Sequence, residues 1–522
     1  MNDAAPTRAL PKHVTQNWQV RKPAATGRAG MVVSQNRTAA EVGAEILRAG
    51  GTAADAAVAT AFALAVLEPW NSGLGGIGHC LVQPADGAAE VCDFGPVAPL
   101  KLDPARFELT GRMTTDLFAW PEVRDNLNVS GPLSFVAPSA PAGYAAVHAR
   151  HGRMPFAELL APAVALARRG LPADWFTALK IASSARDLRR FPESARIYLP
   201  DGLPPAPPYQ GDPAPIVQGN LAATLEAIAR DGVGTFYTGE IAHGLVADIA
   251  EAGGALDHDD LKAVAPRWNP ALRIPHRGRT ILGAPGMTAG PTLARVLELL
   301  RDAPYAAAPD AAWFRAFARA MRTAYAERLS GAPATATHTT HLTVADRDGM
   351  MVAMTSTLLS SMGSRYVLPK SGVLMNNGVM WFDPRPGTPN GIAPGKRPLT
   401  NMCPVVALEG ERPVLAGGAS GGRKILAAVA QMLGFTLDFG MDPEAAAHHP
   451  RIDVSGPDKV VADPRLGVET LDALRADGPV TLAEQVVLPV NYACPNVITR
   501  AADGKLIGIG DAMTPWSGAV AA

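Results

Sequence analysis

Long apolar runs are missing from this chain. None of its 522 residues falls in a stretch of eighteen consecutive apolar ones, so no helical membrane span is expected. The first thirty residues, with Pro6, Arg8, Pro11, Lys12, Arg21, Lys22 and Pro23, hold no apolar run of signal-peptide length, and residues 1–29 read as a loosely ordered arm. An excess of charge is missing too: 47 basic residues stand against 48 acidic ones with no block of one sign, which argues against nucleic acid or an anionic membrane as partner. Cysteine is scarce. Cys80, Cys92, Cys403 and Cys494 lie far apart with no CxxC pair, and read as buried free thiols of a reducing compartment. A soluble, cytoplasmic protein is the expectation. No metal is expected, because His79, His338, His341, His448 and His449 show neither H-E-x-x-H spacing nor a Cys at metal-ligand spacing.

What is present is alanine-rich helix and glycine-rich loop. Gly30–Ser34 reads as a strand, Thr38 and Glu41 as a capping box for a helix ending at Arg48, and Thr52 to Leu67 as a second helix stopped by Glu68-Pro69. The run Gly73-Leu74-Gly75-Gly76-Ile77-Gly78 matches G-x-G-x-x-G by letter. A dinucleotide site needs a strand before it and a helix after it, and here the order is reversed. The run is instead expected to let another backbone approach closely, and no cofactor is expected. Residues 138–265 are mainly helical in pattern, with a proline-dense loop over 200–215. A long helix is expected over Ala311–Leu329. Ser330 to Ala336 is small and proline-containing, and reads as exposed and mobile.

The stretch from His338 onward carries the chemistry. Cleavage between His338 and Thr339 would leave a threonine with both a hydroxyl nucleophile and an α-amine. Such an amine has an ordinary pKa of ~7.7–8.0 and can take the hydroxyl proton at neutral pH. Leu342–Ala345 and Met350–Thr357 read as strands joined by a turn at Asp346-Arg347-Asp348-Gly349. Around that turn Thr339 falls opposite Ser356 or Thr357, which makes Thr357 its candidate hydroxyl partner. Further on, strands at Val405–Ala407 and Val414–Ala416 precede a glycine loop and a helix over Lys424–Leu433. Strands are also expected near Val486–Leu488 and Asn496–Thr499.

Gly418-Ala419-Ser420-Gly421-Gly422 supports two readings. It fits G-x-S-x-G on a strand–turn–helix, so Ser420 is a candidate nucleophile with His448 or His449 as base. The short separation from those histidines leaves little room for the acid-bearing strands of an α/β-hydrolase. Alternatively, its successive glycine N–H groups at a helix start make an oxyanion hole.

With these residues in view, the chain resembles the γ-glutamyltransferase family of N-terminal-nucleophile hydrolases. The matching stretches are Asp55-Ala56-Ala57-Val58, Glu68-Pro69, Ser72-Gly73-Leu74-Gly75-Gly76 and Leu159-Leu160-Ala161-Pro162-Ala163. They continue with Thr339-Thr340-His341, Asn376-Asn377, Ala393-Pro394-Gly395-Lys396-Arg397-Pro398 and Gly421-Gly422. The resemblance implies an α+β fold, a four-layer αββα sandwich. It also implies a precursor that cuts itself into a large subunit, 30–338, and a small one, 339–522. The two would stay interleaved as a heterodimer, with further dimerisation left open. By the same resemblance Thr339 is the nucleophile, Thr357 bonds to it, and the amides of Gly421 and Gly422 hold the oxyanion.

Departures from the family pattern bear on substrate. The family's carboxylate-binding arginine falls at Gly95 in Asp93-Phe94-Gly95-Pro96. Its asparagine two residues beyond the threonine partner is Leu359, its acidic pair after Asn376-Asn377 is Met380-Trp381, and its Ser-Ser pair is Thr400-Asn401. A charged ligand does not leave water without replacement partners. Arg365 and Arg423 stand nearby in sequence and could hold a carboxylate. Asn377, Trp381, Thr400 and Asn401 complete the candidate binding set. The run from Asn376 to Gly387 resembles the oxamate-amidohydrolase branch, which implies a small acid amide as substrate. A γ-glutamyltransferase or glutathione hydrolase with rearranged anchors is the alternative.

Overall fold

The computed structural model describes residues 20–114, 120–303, 305–329, 338–455, 460–488 and 490–522. Two seven-stranded sheets organise it, each antiparallel throughout. One runs Gly518–Ala521, Gly30–Ser34, His338–Asp346, Met351–Leu359, Ile77–Gln83, Glu90–Phe94, Arg267–Pro270. The other runs Ala25–Gly27, Leu506–Ile509, Cys494–Arg500, Arg412–Ser420, Val405–Glu409, Arg279–Gly283, Leu272–His276. Neighbours in each sheet come from distant parts of the chain, so residues before and after Thr339 share both.

Side chains alternate across a strand, and here both faces are apolar. Met31, Val33, Leu81, Ala345 and Met351 of the first sheet form one core cluster with Leu282, Val406, Leu408, Ala416 and Ile498 of the second. The intervening Val32, Leu342, Val344, Val352 and Met354 pack with helices Arg37–Arg48, Ala53–Leu67, Ala140–His151 and Phe156–Arg169. On the second sheet Ile281, Val405, Ala407, Leu415 and Val497 pack with Gly290–Leu299, Ala311–Leu329 and Lys424–Leu433.

Alanine sets how closely these elements approach. Every residue of Ala53–Leu67 is buried, which a helix with bulky side chains on all faces could not manage at this spacing. Where it crosses Arg37–Arg48, a Cβ on Gly43 would sit 2.2 Å from Thr60 Oγ1. The capping box of Ala53–Leu67 is Thr52 with Asp55. The first helix differs from expectation. Asn36 caps it, accepting from the amides of Thr38 and Ala39, because the turn begins one residue before Thr38.

Two further differences have physical reasons. Val486–Leu488 is not a strand; Val487 is apolar because it lines a cavity. The arm is engaged from residue 20. Ala25–Gly27 pairs with Leu506–Ile509, Lys22 Nζ donates to the Asp511 carbonyl at 2.8 Å, and Ala24 N donates to Glu444 Oε2 at 2.9 Å. Residues 1–19 and the Ser330–Ala336 segment lie outside the described residues. Among the described residues no helix is long and apolar enough to cross a membrane.

Candidate active site

The strand His338–Asp346 begins at the junction singled out above, and its partner is Met351–Leu359. Asp346 closes the turn between them, its Oδ1 accepting from the amides of Asp348, Gly349 and Met350, while Gly349 takes the positive φ of 117°. Register then runs from Ala345 opposite Met351 to Thr340 opposite Ser356. It shifts by one residue before His338 meets Leu359. Continued by one residue from Thr340, the register before the shift sets Thr339 beside Thr357: both are buried, and their hydroxyl oxygens are 3.4 Å apart. Thr357 Oγ1 also accepts from the Leu359 amide at 2.8 Å.

The glycine run from Gly73 braces this pair from beneath. A Cβ on Gly76 would lie 2.8 Å from the Thr357 carbonyl oxygen, one on Gly75 2.2 Å from the Leu374 carbonyl oxygen, and one on Gly78 2.3 Å from that of Thr355. Close backbone approach is therefore what these glycines permit.

Thr339, Ser420 and Gly421 line one cavity, with Gln35, Glu68, Trp70, Asn71, Phe176 and Lys180 among its other walls. Gly421 and Gly422 follow the strand Arg412–Ser420 and precede the helix Lys424–Leu433, and both have positive φ, 130° and 68°. A Cβ at Gly421 would also lie 2.8 Å from Ala493 Cα, so two constraints select glycine there.

A chain of buried polar groups runs along one cavity wall. Thr340 Oγ1 donates to Glu68 Oε2 at 2.8 Å, Asn71 Nδ2 donates to Gln35 Oε1 at 3.2 Å, and Gln35 Nε2 donates to Ser420 Oγ. Asn71 Nδ2 also lies 3.5 Å from Glu68 Oε2. Burial pushes the Glu68 carboxyl up to about 7, against the pull of Thr340 and Asn71. Gln35 and Asn71 are not legible in the sequence as site residues, and Glu68 reads there as a helix stop and part of a family-like stretch, with no role in the site. Nothing in their sequence spacing marks them, because they converge from the ends of two separate elements, Gln35 after the strand Gly30–Ser34 and Glu68 and Asn71 after the helix Ala53–Leu67.

His341 is buried between the sheets. Its Nδ1 is 2.9 Å from Thr355 Oγ1 and its Nε2 is 3.2 Å from Thr343 Oγ1, and burial pushes it down to about 3, so the ring is neutral. It lies flat against Gly418, whose added Cβ would be 2.3 Å from Cε1.

The remaining candidates are dispersed. Asn377 is a loop brace: its Nδ2 donates to the Val129 carbonyl at 2.8 Å and Ser360 Oγ at 2.7 Å, and its Oδ1 accepts from the Ser360 amide. The brace holds a loop in which Leu359, Met362 and Arg365 all adopt positive φ, at a cost on the order of 1 kcal/mol each. Arg365 Nη1 donates to the Gly363 carbonyl at 2.7 Å and to Ser360 Oγ at 2.8 Å. Arg423 Nη1 donates to the Ser455 carbonyl at 2.7 Å. Thr400 Oγ1 donates to the Met287 carbonyl at 3.1 Å, and Asn401 is buried beside it. Trp381 is buried among Val136, Val379, Met380 and Met402. None of these six residues lines the cavity at Thr339.

The serine-nucleophile arrangement is not assembled. Ser420 Oγ accepts from Gln35, His448 Nε2 accepts from the Lys22 amide at 3.0 Å, and His449 is packed against Phe435 with its Nδ1 at the Pro450 carbonyl. At the other position of interest, an added Cβ on Gly95 would meet Arg397 Nη2 at 3.0 Å. That guanidinium is paired with Asp93, so a side chain at 95 would have to displace the pair.

Comparison with known proteins defines the class first: this is an enzyme that hydrolyses amide bonds or transfers their acyl groups. The chain belongs to the gamma-glutamyltranspeptidase family, whose sequence model matches residues 39–332 and 329–520. It is 32% identical over 479 residues to the Acylase ACY 1 proenzyme of Pseudomonas sp. (strain SE83), covering 83% of this chain and 84% of that one. It is 29% identical over 540 residues to the Glutathione hydrolase proenzyme of Escherichia coli (strain K12), covering 92% and 90%. Its fold is similar to that of a cephalosporin acylase from Bacillus halodurans, with a TM-score of 0.83, 24% identity, and coverage of 98% of this chain and 99% of that one.

Proposed function

We propose that this chain is a self-cleaving amidohydrolase in which scission before Thr339 creates the nucleophile. The two sheets with helices packed outside them are read as the four-layer αββα sandwich, and 30–338 and 339–522 as its interleaved subunits. The observation that carries the reading is the buried Thr339–Thr357 pair, of which Thr339 lies on the wall of a cavity that Gly421 shares. Both curated relatives are named as proenzymes, which supports processing.

In the proposed reaction Thr339 Oγ adds to the amide carbonyl carbon and its proton passes to the freed α-amine. The Gly421 and Gly422 amides receive the oxyanion. The leaving amine takes the proton from the Thr339 ammonium, and an ester remains on Thr339. Water then adds to the ester, and the acid is released. A peptide nitrogen cannot act as that base, so the uncut chain is inactive in this scheme.

The substrate proposed is a small amide of a dicarboxylic acid, oxamate-like in size. The glycine at 95, with Arg397 and Asp93 paired against it, and the burial of Trp381 in an apolar cluster disfavour the family's usual zwitterion anchors. The identity to a glutathione hydrolase keeps γ-glutamyl amides as the second reading. A denaturing gel with N-terminal sequencing tests the first step: two bands, the smaller starting Thr-Thr-His-Leu, are expected. Thr339→Ala should give one band and no turnover. Oxamate and γ-glutamyl-anilide, offered side by side to the processed enzyme, separate the two substrates. A single band with full activity would overturn the proposal.

A further inference from the structure

Among the described residues lining the cavity at Thr339, Lys180 is the one cation. It lies on the helix Trp175–Ala182, and its Nζ is 5.1 Å from the ring centroid of Phe176, which lines the same cavity. Its charged and titratable neighbours on the cavity wall are Cys494 and Glu68. Arg365 and Arg423 differ, because each donates to backbone carbonyls away from the cavity. The half-buried side chain lines the cavity, where an anion could accept from its ammonium.

The other titratable groups on the cavity wall are Glu68 and Cys494. Glu68 is held by Thr340 and Asn71. Burial keeps its proton on up to about pH 7 and pushes the Cys494 thiol up to about 11. Burial also lowers Lys180, while Cys494 and Glu68 pull the other way. Near neutrality the Cys494 thiol is therefore neutral and Glu68 sits at the midpoint of its titration.

We infer that Lys180 is the specificity-determining residue that binds the free carboxylate of the acyl donor, so the enzyme takes amides of dicarboxylic acids. The inference rests on the proposed reading of Thr339 as nucleophile. The substrate's carboxylate would accept from Lys180 Nζ while its scissile carbonyl faces Thr339 and the Gly421 amide. No covalent step involves the lysine. Its role is to select the anion and seat it.

The test compares oxamate with oxamide, its neutral isostere, on processed wild type, Lys180→Met and Lys180→Arg. Melting temperature and the two-band gel check that each variant matures. The ratio of kcat/KM for oxamate over oxamide should fall at least thirtyfold in Lys180→Met, through KM for oxamate, and recover most of that in Lys180→Arg. An unchanged ratio, or an equal loss of kcat on both amides, would overturn the inference and leave Lys180 as a counter-ion to Glu68. Oxalate binding, followed by calorimetry, provides a readout independent of turnover. A tenfold or greater weakening in Lys180→Met supports the carboxylate site even if neither amide is hydrolysed, in which case the functional reading alone falls. Equal oxalate affinity in both proteins would sink the site. If Lys180→Met does not mature, Lys180→Gln replaces it in both assays.

Discussion

Thr340 donates its hydroxyl hydrogen to Glu68 at 2.8 Å, which joins the residue after Thr339 to the end of the buried helix Ala53–Leu67. Glu68 caps that helix and is itself almost wholly buried. The bond thus links the proposed nucleophile's strand to the helical layer at a titratable group.

The titration has a sign. Burial raises Glu68 from 4.5 to about 7, so between those values the folded chain holds a proton that the unfolded chain has lost. Stability must fall as pH rises through that window and level off above it, a loss of about 3 kcal/mol at ~1.36 kcal/mol per pKa unit. Glu68→Gln keeps an acceptor for Thr340 and cannot ionise. Urea unfolding at pH 5 to 8 should show the variant gaining on wild type by up to that amount. Parallel curves would mean that Glu68 does not titrate in this range.

Thr357→Val removes the hydroxyl beside Thr339 with little change in volume. A hydrogen bond to a charged or developing-charge group contributes about 1.5–3 kcal/mol, so kcat should drop roughly ten- to hundredfold. Self-cleavage, followed on a gel, should slow as well. Unchanged rates in both assays would remove Thr357 from the machinery.

Ser420→Ala discriminates between nucleophiles. Its hydroxyl accepts from Gln35, and among the described residues no histidine reaches it. Mass spectrometry of the trapped acyl-enzyme should find the label on Thr339 in this variant, with turnover within about tenfold of wild type, in line with the modest net contribution of one hydrogen bond. Loss of the acyl-enzyme would restore the serine-hydrolase reading.

Gly418→Ala should be destabilising. The added Cβ would press into the His341 ring, which Thr343 and Thr355 hold on its other sides. Overpacking of this kind costs about 1–3 kcal/mol. A midpoint shift in urea unfolding measures it, and a neutral result would mean that the two sheets can separate locally.

The thiols should be inert in the native state. Cys80, Cys92 and Cys403 are buried, and burial pushes Cys92 and Cys403 up to about 12 and Cys494 up to about 11. Thiolate is the reactive form. Iodoacetamide at pH 8 should label the folded protein slowly and all four cysteines once it is unfolded. Rapid native labelling of Cys494 would place it in open contact with solvent.

Local pattern was legible where one element's own residues decide it. The helix Ala311–Leu329 has the expected bounds, the Asp346–Gly349 turn takes the expected form, and the glycines at 73–78 serve close backbone approach. Counting around the tight turn narrows the neighbour of Thr339 to Ser356 or Thr357, because turn length sets hairpin register to within a step, and the structure selects Thr357. Arg365 and Arg423 show the limit of that reasoning. Both are near the site in sequence, and backbone carbonyls take their donors.

What the sequence by itself determined is the family, the hairpin that brings two threonine hydroxyls together, and the glycine loop before a helix. Each depends on contacts within a few residues or on motifs kept in order along the chain. Tertiary structure alone decided which polar groups share the cavity. Gln35, Glu68, Asn71 and Lys180 reach Thr339, Ser420 and Gly421 only because separate helices and strand ends converge on one face of two packed sheets. A lone lysine on a short helix reads as surface charge until packing sets it on a cavity wall, and no local pattern encodes that placement.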